Sequence, residues 1–119
     1  TYQSVLTELT CGGSGDNEYI FSDVITDQAL LTFNALSFLT GQVHGVSVRS
    51  EARLDTTGTR TFEHLVRSGG TIYKPGVTHT VSSTLYQSFE DIYEVDPDTA
   101  VKWTASGVNG ADFGVELIS

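Results

Sequence analysis

Cations, sulfur, proline and long apolar runs are all scarce in this chain. There are six Lys and Arg against fifteen Asp and Glu, a formal charge of −9, and the sequence pI is about 4.4. Six scattered cations cannot neutralise a run of phosphates, so nucleic acid and anionic membrane surfaces are expected not to be partners. No apolar stretch approaches the ~18 residues of a spanning helix, and Thr1–Val5 has neither a basic n-region nor an apolar h-region. The lone cysteine, Cys11, has no partner within the chain and reads as a free thiol in a Gly/Ser-rich surface loop. Methionine is absent and proline occurs twice.

The polar surface is built from other residues. The 119 residues include 16 Thr, 12 Ser and 12 Gly, about a third of the chain. This composition suits strands joined by turns better than a Lys/Glu/Ala-rich bundle. The length suits one domain, residues 1–119, with one core.

The clearest periodicity runs from Val43 to Leu54. His44, Val46, Val48, Ser50, Ala52 and Leu54 share one face, and Gly45, Ser47, Arg49, Glu51 and Arg53 the other. Asp55-Thr56-Thr57-Gly58 supplies turn chemistry, and Thr59–Arg67 alternates again, with Phe62, His64 and Val66 on one side. The two runs together predict a long antiparallel hairpin. Further strands are expected at Tyr2–Leu9, Glu18–Val24, Leu30–Leu36, Thr71–Tyr73, Val77–Ser82 (Val77, His79 and Val81 on its apolar face), Leu85–Val95 (with a bulge) and Phe113–Leu117. Thr104 is placed to cap a short helix through Asn109, stopped by Gly110. The expected fold is all-β: an antiparallel, jelly-roll-like β-sandwich with at most one short helix near the C-terminus.

Candidate chemistry is sparse. His44, His64 and His79 have no metal-ligand spacing, so a zinc site would have to be assembled wholly by the fold, and hydrogen-bonded structural histidines are the expectation. Glu90, Asp91, Glu94, Asp96 and Asp98 form an acidic cluster, within which Glu94, Asp96 and Asp98 are calcium candidates. A glycosidase pair on Glu94 and Asp96 is disfavoured because Pro97 interrupts the strand that would align them. Ser68-Gly69-Gly70 reads as a turn, since no helix or Lys follows as a phosphate loop requires. Trp103, with Tyr73 and Tyr93, is a candidate for glycan or partner contacts, although Trp103 reads first as an anchor pinning the 97–104 loop. No catalytic residue and no cofactor is expected.

Two blocks carry a resemblance. They are Arg67-Ser68-Gly69-Gly70-Thr71-Ile72-Tyr73, and Asp96-Pro97-Asp98-Thr99 leading to Trp103-Thr104 and closing on Phe113-Gly114-Val115. Asp16–Ile20 and the Gly41-x-Val43-x-Gly45-Val46 opening match more loosely. In these features the chain resembles small virion structural proteins of tailed bacteriophages. The resemblance implies a non-enzymatic β-sandwich on the virion surface, a capsid decoration (cement) subunit or another head or tail component. It implies other virion proteins as partners, the major capsid protein or tail components, and a homo-oligomer such as a trimer. The alternative is a lectin-like carbohydrate-binding module on a fibre or adhesin, contacting a host-surface glycan.

Overall fold

The computed structural model describes residues 21–36 and 43–119. Among these residues seven strands and one short helix follow in order: β1 (Gln28–Leu31), β2 (Val46–Ala52), β3 (Arg60–Ser68), β4 (Thr71–Tyr73), β5 (His79–Val81), β6 (Gln87–Tyr93), α1 (Ala105–Asn109) and β7 (Asp112–Leu117). They form two antiparallel sheets packed on one another. The larger has the order β1-β7-β3-β4, with β5 also on β3, and the smaller is β2-β6. β1 pairs with β7 and β2 with β6, a nesting that wraps the chain in the jelly-roll manner. Among the described residues no helix is long and apolar enough to cross a membrane.

The expected hairpin between residues 43–54 and 59–67 does not form. Both runs are strands, and β2 alternates half-buried and exposed as its periodicity requires. However, β2 pairs with β6, while β3 lies in the other sheet beside β7. Alternation states which side chains are buried, and lateral pairing and face-to-face packing satisfy it equally well. The Asp55–Gly58 turn therefore carries the chain from one sheet to the other.

Other boundaries move in smaller ways. The Leu85–Val95 run carries no bulge, since β6 keeps a continuous register from Val46↔Tyr93 to Ala52↔Gln87. The strand expected at Leu30–Leu36 is β1, two residues earlier and shorter. Residues 21–24 are not strand, and Tyr2–Leu9, Cys11 and residues 18–20 lie outside the described residues.

The Ser68-Gly69-Gly70-Thr71 turn joins β3 to β4 with Gly69 at φ 60° and Gly70 at φ 83°, the paired positive values a tight two-residue hairpin needs. Thr104 caps α1 as expected: its Oγ1 accepts from the Gly107 N–H at 2.9 Å.

Side chains from both sheets make two apolar clusters. One gathers Val66, Tyr93, Trp103, Ala111 and Phe113, with Val46 and Val48 against it. The other gathers Leu54, Phe62 and Val81, with Ala52 and Phe89 against it. Along β2, β3 and β6 the inward positions between these clusters belong to Ser50, His64 and Asp91. A polar band therefore crosses the middle of the core.

Candidate functional site

Each polar residue of the band occupies an inward strand position flanked two residues away by apolar neighbours. His64 lies between Phe62 and Val66 on β3, Asp91 between Phe89 and Tyr93 on β6, and Ser50 between Val48 and Ala52 on β2. Period-two geometry sends all three into the space between the sheets. His79 joins from β5, which pairs with the start of β3 (Phe62↔His79).

β4 and β5 occupy the same edge of β3 in succession, leaving its middle unpaired on that side. The connecting loop dips inward there. A Cβ on Gly76 would meet the Asp91 carboxyl carbon at 2.5 Å, and the Val77 N–H approaches Asp91 Oδ1 at 3.4 Å. Only a residue without a side chain lets the loop close over the carboxylate in this way.

The contacts are short. Asp91 Oδ2 lies 2.6 Å from His64 Nδ1 and 2.7 Å from His79 Nε2. His64 Nε2 lies 2.6 Å from Ser50 Oγ. A neutral His64 with its proton on Nδ1 donates to Asp91 and accepts from the Ser50 hydroxyl, so both ring nitrogens are satisfied. The His64 side chain is fully buried, His79 11 % exposed and Asp91 7 % exposed. Burial pushes the His64 pKa below its ordinary value, outweighing the pull of Asp91 in the other direction. Burial also pushes the Asp91 carboxyl up, but hydrogen bonds from His79, His64 and the Val77 N–H more than offset it and leave the group below the usual range. Phe62 and Phe89 wall the cluster, with ring centroids 5.3 and 5.4 Å from the His79 ring.

The wiring from Ser50 through His64 to Asp91 matches that of a nucleophile–base–carboxylate relay. Its setting differs. Ser50 sits mid-strand in regular register opposite Phe89, turned between the sheets and half-buried. There the Ser50 hydroxyl completes a hydrogen-bond network that runs through His64 to Asp91 and His79.

The sequence-predicted site residues scatter. The acidic cluster is not one patch: Asp91 turns into the core, Glu90 turns outward to accept from Ser47 Oγ at 2.8 Å, and Glu94 is exposed. The calcium candidates Asp96 and Asp98 already accept from protein donors. Asp96 Oδ1 takes the Ser68 hydroxyl at 2.7 Å and the Asp98 N–H at 2.9 Å, and Asp98 takes the Tyr73 hydroxyl at 2.8 Å. These bonds fasten the Arg67–Tyr73 block to the Asp96-Pro97-Asp98 block, so the two segments that carry the sequence resemblance form one corner of the fold.

Trp103 is only 2 % exposed and Tyr93 5 %, which leaves neither ring a face for a sugar. Trp103 is instead the anchor of its loop, packed 6.2 Å from Phe113 between ring centroids. Tyr73 is half-buried, with its hydroxyl committed to Asp98. His44, expected on an apolar face, precedes β2 and is exposed.

Sequence reasoning placed His64 and His79 on inward faces but left Asp91 among the acids. Its signal was position: a carboxylate two residues from Phe89 and two from Tyr93 on an alternating strand. Among the described residues, His64, His79 and Asp91 are the group of three potential metal ligands whose donor atoms converge, all within 4.8 Å of one another. No protein-family model matches the chain, and neither a curated protein nor a solved structure matches it.

Proposed function

We propose that the protein is a non-enzymatic structural subunit of a tailed-bacteriophage virion, a capsid decoration (cement) subunit on the particle surface. The observation that carries this reading is the apolar surface that the two-sheet frame leaves exposed among the described residues. Leu85 is 76 % exposed, Ile92 65 %, Val77 63 % and Val101 61 %. Each of these side chains gives a neighbouring subunit apolar surface to bury. The two resemblance-bearing segments support the reading in a second way. Their Ser68–Asp96 and Tyr73–Asp98 bonds build a rigid corner, which is architecture rather than chemistry. The surplus of acids over cations suits the outside of a particle better than its DNA-facing interior.

Mass spectrometry of purified particles, with heads and tails separated, tests the proposal. The chain is expected in the head fraction at a fixed ratio to the major capsid protein. Recovery with tails moves the assignment to a tail component, and absence from both rejects a virion role.

A further inference from the structure

We propose that His64, His79 and Asp91 form a three-ligand binding site for a divalent transition-metal ion, zinc fitting best, that ties the two sheets together. The donor set is two imidazole nitrogens and one carboxylate oxygen. Zinc accepts that mixture, whereas calcium and magnesium call for oxygen ligands throughout. His64 Nδ1 and His79 Nε2 already converge on one oxygen, Asp91 Oδ2, at 2.6 and 2.7 Å. Zinc bonds of about 2.0–2.1 Å place tetrahedral ligand atoms about 3.4 Å apart, so each nitrogen–oxygen gap needs to open by less than ~1 Å.

The surroundings suit a metal as well as the ligands do. A metal-bound imidazole requires a partner for its other nitrogen, and Ser50 Oγ stands 2.6 Å from His64 Nε2. Coordination at Nδ1 moves the His64 proton to Nε2, and the Ser50 hydroxyl turns from donor to acceptor. Coordination of His79 through Nε2 requires its proton on Nδ1. Phe62 and Phe89 supply the apolar wall that strengthens metal–ligand attraction by excluding water. His64 and His79 belong to the larger sheet and Asp91 to the smaller, so a bound ion cross-links them. Three protein ligands leave the remaining coordination position to water. The inference stands apart from the virion reading, because it concerns how the two sheets are held and not where the protein resides.

The test uses the full chain carrying Cys11→Ser, stripped with a chelator and then given zinc chloride. Elemental analysis after gel filtration is expected to find one zinc per chain. Zinc at about a hundredfold over Kd is expected to raise Tm by roughly 10 °C. His79→Gln, which keeps a hydrogen bond to Asp91, is expected to lose both effects, and His44→Gln to keep both. Cobalt(II) in the unmutated site adds a readout that does not depend on any variant folding: intense visible bands of a low-coordinate nitrogen/oxygen site. Chains that stay metal-free with an unmoved Tm and no such bands overturn the proposal. So does zinc binding that survives His79→Gln or vanishes with His44→Gln.

Discussion

Gly114 lies in the middle of β7, opposite Leu30 of β1 on one side and Leu65 of β3 on the other. A Cβ there would stand 1.6 Å from the Ala29 carbonyl oxygen, a backbone atom that cannot swing away. Gly114→Ala therefore has to push β1 off the sheet, and a cost of about 3 kcal/mol is expected from overpacking of this kind. Urea denaturation of the purified variant measures it, and a loss under 1 kcal/mol would show that β1 is held by little. Two residues on, Glu116 accepts from Lys74 Nζ at 2.8 Å and from Gln28 Nε2 at 2.7 Å. The Lys74 hydrogen bond first, and that from Gln28 second, hold its carboxyl below the usual range. Because the folded value lies below the unfolded one near 4.3, the native state binds this proton less readily. The stabilisation is complete above the unfolded value and is lost as pH falls through the folded one. Urea midpoints are expected to fall between about pH 5 and 3, and Glu116→Gln to flatten that fall while costing about 1 kcal/mol at pH 7.

At the scale of elements, α1 is the clearest case of structure written locally. Five residues cannot sustain a helix by propensity alone, so the cap at Thr104 and the packing of Ala105 hold it in place. Thr104→Ala removes the acceptor for the Gly107 N–H and is expected to cost about 1 kcal/mol, read from the same denaturation curves, with Thr104→Ser restoring most of it. The cap and the Gly69-Gly70 turn were both legible in the sequence, because each depends on a few neighbouring residues. Strand pairing was not. β2 and β3 follow one another with a good turn between them, yet the wrapped topology gives β2 to β6. The candidate site was half legible for the same reason. Alternation turned His64 and His79 inward, but their meeting with Asp91 depends on β5 and β6 landing on opposite sides of one core. In the sequence Asp91 stands beside Glu90, and only the strand's alternation separates an inward carboxylate from an outward one.

On the scale of the whole molecule, the two sheets differ in what they leave uncovered. Among the described residues the smaller sheet holds two strands, each paired along one side. Its outer face carries Ser47, Arg49 and Glu51 from β2 and Ser88, Glu90 and Ile92 from β6. Ile92 stands out on that polar face, and Leu85 projects just before β6 begins. Neither contributes to the two apolar clusters of the core, so changing them separates assembly from folding. Ile92→Glu with Leu85→Glu is expected to shift stability by no more than about 0.5 kcal/mol per site, the range for surface substitutions away from packing. The same pair is expected to abolish incorporation into particles reconstituted from heads lacking the protein, since each glutamate would carry a charge into the proposed apolar contact. Sedimentation of the free chain tests the homo-oligomer in parallel: a trimer held through this face falls to monomer in the double variant. Normal incorporation by a folded double variant would remove Leu85 and Ile92 from the assembly surface and leave Val77 and Val101 to carry it.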